Sequence, residues 1–205
     1  LDGVIISHFD ADHAGGYQAL LSHYNPKWIR ASQRLKPPVS LSSQSTFNYQ
    51  ACVIGESWRW QDVEFEVLWP PRSVERAYNP HSCVVRIYEP STEFSMLLTG
   101  DIELVSEWLL AREATRLKSD VMLVPHHGSS TSSIARFIEA VSSQLAIASL
   151  SKGNQWGMPS QSVVDRYREA DSTWLDTGES GQITITISKE GWKYHTIREH
   201  QGRQW

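Results

Sequence analysis

The 205-residue sequence predicts an α/β fold in which two β-sheets carry helices on their outer sides. Three observations lead there. The second half of the chain alternates strand-like and helix-like segments, the first half is rich in short β-like runs, and several apolar runs end in clusters of acidic and imidazole side chains. The length suits one domain spanning 1–205 with a substantial core, and at most one small lobe besides.

Taken in order, Val4-Ile5-Ile6 reads as a short buried strand that follows Leu1-Asp2-Gly3 at once, with no room for an earlier element. That abrupt opening suggests a domain taken from a longer chain. From Ala14 the positions Tyr17, Leu20, Leu21 and Tyr24 have helical spacing, Asn25-Pro26 stops the helix, and residues 28–31 form the next strand. Residues 33–50, rich in Ser, Gln and Pro, read as a surface loop. From 51 to 69 the pattern is β-like, with Val63, Phe65 and Val67 alternating against polar neighbours until Pro70-Pro71. Strands at 83–88 and 95–99 precede a helix over about 103–117 through Leu104, Trp108 and Leu109. The remainder alternates: strand 121–124, helix 133–141, strand 145–149, helix 160–170, and a last strand at Ile183, Ile185 and Ile187.

Bulk properties exclude several classes. The formal net charge of −4 gives no general attraction to nucleic acid or an anionic membrane, so a polyanion would have to be held locally. There is no run of about 18 apolar residues that could span a bilayer, and no basic leader precedes the first strand. Cys52 and Cys83 fit neither a disulfide scaffold nor a zinc knuckle; they either pair in an oxidising compartment or stay as buried thiols. Trp58, Trp60 and Trp69 sit in β-like segments and read as packing residues rather than base-stacking ones.

The stretch Ser7 to Gly16 holds His8, Asp10, Asp12 and His13 directly behind the first strand. Alternate residues of an extended segment share a face, so His8 and Asp10 reach one point while the turn brings Asp12 and His13 round. Clustered carboxylates repel unless a divalent cation compensates them. A helix cap would need one Asp, not four ligand-type side chains. Leu97-Leu98-Thr99-Gly100-Asp101 places one carboxylate at a strand's carboxyl edge, where α/β sites gather, although Asp101 also suits a helix cap. Pro125-His126-His127-Gly128-Ser129 again ends an apolar strand in ligand residues. Together these strand ends supply enough donors for two metals sharing a carboxylate. No Gly-x-Ser-x-Gly elbow supports a serine hydrolase.

In that order, Ser-His-x-Asp-x-Asp-His-x-Gly-Gly, Leu-Leu-x-Gly-Asp and Pro-His-His-Gly-Ser resemble the metallo-β-lactamase superfamily, and within it the ComEC-like competence branch. The resemblance covers nearly the whole chain. It implies an αββα sandwich with a dinuclear site of zinc or manganese on one edge. His8 and Asp10 would hold one metal, Asp12 and His13 the other, Asp101 would bridge them, and His126 or His127 would complete the second. Asn79-Pro80-His81-Ser82 fits a polar stretch of the family, which makes His81 a further candidate ligand. Asp12 or Asp101 would orient the attacking water, and Ser129, Asn154 and Met158 would line the substrate groove; Lys152 and Trp156 lie in the loop leading to Gly157-Met158-Pro159, which reads either as groove lining or as ordinary solvated loop.

The resemblance further implies a phosphodiesterase acting on DNA, attached to the membrane channel of the same polypeptide and exposed on the periplasmic side of a bacterial inner membrane, without inserting into the membrane itself. Two departures stand out. Relatives begin with additional strands, so one sheet here is expected to lack its first strands and to expose an edge. Relatives also tend to carry Gly-His-Pro where this chain has Gly157-Met158-Pro159, and a thioether neither donates a proton to a leaving group nor binds a phosphate. The alternatives are therefore a weakened or inactive domain that binds DNA or docks on the channel, and a hydrolase of another ester.

Overall fold

A computed structural model describes residues 1–24, 26–34 and 48–198. Position 25, half of the expected Asn-Pro stop, and 35–47, the body of the expected loop, lie outside the described residues. The chain begins with β1 (Gly3–Ile6), α1 (Ala11–Ala14), α2 (Tyr17–His23), β2 (Trp28–Ala31) and β3 (Tyr49–Ala51). Then come β4 (Ser57–Trp60), β5 (Val63–Trp69), β6 (Val84–Glu89) and β7 (Phe94–Leu98). The helical face is built by α3 (Leu104–Leu110) and α4 (Ala114–Leu117), followed by β8 (Val121–Leu123), α5 (Ala135–Val141), β9 (Leu145–Ala148) and α6 (Gln161–Glu169). The chain closes with β10 (Thr173–Asp176), α7 (Thr177–Ser180), β11 (Ile183–Ser188) and β12 (Gly191–Thr196).

The strands β1, β2 and β3 form a parallel three-stranded sheet. The larger sheet has seven strands in the order β10-β9-β8-β7-β6-β5-β4, parallel from β10 to β7 and antiparallel from β7 to β4. Four layers result. On the outside of the small sheet, Ala14, Tyr17 and Leu21 of the first helices pack on Ile6, Ile29 and Ala31. Between the sheets lie Cys52, Phe65, Val67, Cys83 and Val85 with Ile5 and Trp58. On the far side, Leu97, Met122 and Ala146 of the large sheet meet Leu110, Phe137, Val163 and Tyr167 of the helices. The hairpin of β11 and β12 covers the parallel half of the large sheet through Ile183, Ile185 and Trp192. This is the αββα arrangement expected from the motifs.

Several elements depart from the sequence reading. The expected loop ends in β3, and β10 and β12 were not anticipated; β10 carries the apolar Trp174 and Leu175 between polar neighbours over only four residues. The helix expected over 103–117 breaks, because Glu113 leaves the helical region at φ −111°, ψ 49°. The break turns Arg116 towards Glu66, 2.6 Å away, and still buries Leu117. On β5 the anticipated alternation sends Phe65 and Val67 to one core and Leu68 to the other, but a bulge between Val67 and Trp69 keeps Trp69 on the same side as Leu68. Trp58 packs flat on Phe65 at 4.8 Å between ring centres, while Trp60 stays 41% exposed. Cys52 and Cys83 form a buried disulfide across 31 positions, a closure that stabilises by about 4 kcal/mol in the chain-entropy picture. Among the described residues no helix is long and apolar enough to cross a membrane.

One buried charge ties the helical layer to the loop before α5. Glu107 on α3 is fully buried and accepts the backbone N–H groups of Ser133 (2.6 Å) and Ile134 (2.8 Å), so it caps α5 from a neighbouring helix. Burial pushes its carboxyl up to about 7, against the pull of the two amides. Since the folded pKa lies above the unfolded one, the contribution is full below about pH 4.5 and is lost as pH rises to about 7. Across that window wild type is expected to lose up to about 3 kcal/mol relative to Glu107→Gln, whose side chain does not titrate. Urea unfolding of both proteins at a series of pH values checks this, and parallel profiles would refute it.

Candidate metal centre

Each ligand-rich stretch leaves a strand at its carboxyl end, but from different sheets: Ser7 to Asp10 follow β1 of the small sheet, whereas Asp101 and the His126-His127 pair follow β7 and β8 of the large one. The two sheets must approach closely here, and Gly100 makes that possible. It has φ +54°, and a Cβ on it would lie 2.8 Å from the Cβ atoms of both Ser7 and Ser82. After β8 the chain turns through consecutive left-handed residues, His126 (φ 48°), His127 (φ 54°) and Gly128 (φ +82°). That turn lets adjacent imidazoles face one cleft, which an extended strand would send to opposite sides.

Asp101 sits at the centre, almost wholly buried. His13 Nε2 is 3.1 Å from its Oδ1, and the Nε2 atoms of His127, His8 and His126 lie 3.5, 3.9 and 4.0 Å from its Oδ2. Outer groups engage the other ring nitrogen of each histidine. Ser7 Oγ is 3.0 Å from His13 Nδ1, Ser82 Oγ 3.3 Å from His8 Nδ1, the Ser149 carbonyl 2.6 Å from His127 Nδ1, and Glu103 Oε1 3.2 Å from His126 Nδ1. Such outer partners orient imidazoles and leave Nε2 to point inward. Asp10 faces His8 at 3.6 Å, and Asp12 reaches His13 at 3.5 Å and His127 at 3.3 Å.

These donors fit a divalent cation. The ligand atoms of Asp12, His13, Asp101 and His127 all lie within 4.8 Å of one another. His8 Nε2 is buried with no hydrogen-bond partner, a state that costs about 1–3 kcal/mol for a polar group left unmatched. Burial opposes ionisation of Asp101, yet His127 and His13 outweigh it and hold the carboxyl below the usual range. The Asp101 carboxylate pushes His127 up to about 9, whereas burial and the neighbouring His13 push His8 down. One imidazole is thus driven to carry positive charge for the carboxylates and another is denied it, which is the environment a cation would even out.

The structure brings together His8, Asp10, Asp12, His13, Asp101, His126 and His127. It groups His127 with Asp12 and His13, and sets His126 beside Asn79, 3.4 Å from its Nε2. Neither acidic cap reading holds: Asp10 precedes α1 without a side-chain cap bond, and the residue preceding α3 is Glu103 rather than Asp101. His81 is not drawn in, since its Nδ1 accepts the Tyr78 N–H (3.3 Å) and Asn79 is the residue of that stretch that faces the cleft. Ser129, expected in the groove, is buried with its hydroxyl against Thr131 (3.1 Å), so it shapes the turn. Met158 and Asn154 do line a cleft of about 670 Å³ that opens on the acidic residues, with Asn154 holding the Met158 carbonyl (2.6 Å) and amide (3.1 Å). Lys152 is paired with Glu179 at 3.0 Å. Ser7, Ser82 and Gly100 escaped the sequence reading; the Gly-Asp pair and the Ser before the first His were its only hints.

The model of the metallo-beta-lactamase superfamily matches residues 1–151. Uncharacterized protein YcaI of Escherichia coli is 37% identical over 205 residues, covering 100% of this chain and 26% of that protein. Competence protein ComA of Neisseria gonorrhoeae is 30% identical over 203 residues, 98% of this chain and 27% of that protein. The chain therefore spans about a quarter of the length of the curated relatives it matches. Among solved structures, the metallo-beta-lactamase fold protein YhfI of Bacillus subtilis superposes with a TM-score of 0.55 at 15% identity, over 86% of this chain and 74% of that one.

The left-handed turn yields a graded expectation. A Cβ at position 128 would meet the Pro159 Cβ at 2.9 Å, whereas one at Gly153, also left-handed at φ +67°, meets nothing within 4 Å. Gly128→Ala is expected to cost about 2 kcal/mol or more, and Gly153→Ala only about 1 kcal/mol. Gly128→Ala alone should also weaken uptake of a divalent cation, because His127 precedes it. Thermal unfolding and titration calorimetry of the two variants check both statements.

Proposed function

The chain belongs to the metallo-beta-lactamase superfamily, as a ComEC-like competence-protein domain, and we propose that it is a metal-dependent phosphodiesterase that hydrolyses DNA at the centre around Asp101. The observation that carries this reading is the convergence of the His8, His13, His126 and His127 Nε2 atoms on one buried carboxylate, flanked by Asp10 and Asp12. We assign His8, Asp10 and His126 to one divalent ion, Asp12, His13 and His127 to a second, and Asp101 to both. With imidazoles and carboxylates mixed, the donor set suits zinc or manganese. When bound, such ions supply Lewis-acid activation of a water and neutralise phosphate charge.

The chain's own groups do the rest. Asp12, whose side chain is 60% exposed at the cleft mouth, accepts a hydrogen bond from the attacking water and takes its proton. Water oxygen bonds to phosphorus, the bond to the leaving oxygen breaks, and that oxygen gains a proton from solvent, since Met158 offers none. Asp101 holds the four rings in place. The relative called Competence protein ComA supports DNA as substrate and a channel as the neighbouring part of the polypeptide. The buried Cys52–Cys83 disulfide supports exposure to the periplasm, because such bonds persist in oxidising compartments.

Met158 favours a second reading, a domain that holds DNA and cuts it slowly or not at all. Asp101→Ala and His13→Ala should each abolish manganese- or zinc-dependent cleavage of a DNA strand and lower bound metal measured by mass spectrometry; full activity in either would reject the assignment. Met158→His should raise kcat by about 100-fold or more if a missing proton donor limits the reaction. Absence of any cleavage by wild type and Met158→His under every metal, with DNA still bound, would establish the second reading.

A further inference from the structure

The cleft that opens on the acidic centre is badly suited to holding a nucleic acid by charge. Asp10, Asp12 and Asp101 line it, and among the described residues no lysine or arginine does. The same cleft is also lined by the apolar side chains of Leu150, Met158 and Trp156. Trp156 is 69% exposed, the most exposed of the chain's large hydrophobic side chains among the described residues. Its loop is nevertheless held on both sides: Asn154 Nδ2 donates to the carbonyls of Ser151 (3.0 Å) and Met158 (2.6 Å), Asn154 Oδ1 accepts the Met158 N–H, and the Gly157 N–H donates to the Asn154 carbonyl (3.3 Å). A large flat indole is thus presented to water on a fixed loop, beside carboxylates that repel phosphate.

Resting on the phosphodiesterase reading, we propose that Trp156 is a stacking platform for a nucleobase next to the scissile phosphate, and that it makes the cleft select single-stranded nucleic acid. Among the described residues the cleft's own side chains offer no lysine or arginine to hold phosphate along the strand, so a contact indifferent to charge would add affinity that this lining does not supply. Base–aromatic stacking is such a contact, worth about 1–3 kcal/mol per base, or roughly 5-fold to upwards of 100-fold in affinity. In a duplex both faces of a base are covered by its neighbours, so only an unpaired strand offers one. Trp156 acts here on binding, and takes no part in bond breaking.

The test is fluorescence anisotropy in calcium, comparing a labelled ten-residue oligothymidylate with a labelled abasic backbone of equal length and with a duplex. Wild type should bind the oligothymidylate roughly 5-fold to upwards of 100-fold more tightly than either. Trp156→Ala should erase that preference while its unfolding midpoint and metal content stay unchanged, and Trp156→Phe should keep most of it. Equal or undetectable binding of all three probes by wild type, or a preference that survives Trp156→Ala, overturns the proposal. Cleavage assays are scored apart: a base preference without metal-dependent cleavage defeats the phosphodiesterase reading and leaves the platform standing, and cleavage without a base preference does the reverse.

Discussion

The buried Asp101 carboxylate, faced by four imidazoles, is the constraint from which the rest of the site follows. Removing an anion from water costs several kcal/mol unless compensating groups surround it. Here compensation comes from His8, His13, His126 and His127, each with Nε2 inward and its other nitrogen against a fixed hydroxyl, carbonyl or carboxylate. The outer contacts fix where the rings point, and the ring positions fix where Asp10 and Asp12 can be tolerated. The ligand loops come from both sheets, so the centre can form only if the sheets are already correctly packed.

That packing is secured next to the centre. The Cys83 N–H donates to the Ser7 carbonyl (2.8 Å), its sulfur is bonded to that of Cys52, and its neighbour Ser82 accepts the Asp101 N–H (3.0 Å) while touching His8. One short stretch, Ser82-Cys83, therefore links small sheet, large sheet and the residues of the candidate metal centre. The disulfide belongs to this seam rather than to a distant loop, and both of its cysteines are buried there.

Much of this was legible from residue order. Apolar runs ending in acidic and imidazole residues placed the site, and alternation placed most strands and helices of the large sheet. What escaped had no local signature. Strand β10 is four residues long with a mixed pattern, and β3 has three residues following a Ser- and Gln-rich stretch. The placement of His126 and His127 depends on two successive left-handed residues, a backbone uncommon outside glycine that residue order alone does not announce. The family resemblance made His81 a candidate ligand, but the short helical turn from Asn79 to His81 returns its ring to the Tyr78 amide. The roles of Ser7, Ser82 and Gly100 arise from contacts across as many as 93 positions of sequence, which only the folded chain reveals.

The bulge on β5 has a mechanical consequence. By keeping Trp69 on the side of Leu68 while Phe65 and Val67 face the other way, it makes a single strand a shared wall of the layer between the sheets and of the layer beneath the helices. Neither layer can loosen without disturbing the other's wall, so β5 and its partners form one cooperative unit whose amides exchange with solvent only when the whole sandwich opens.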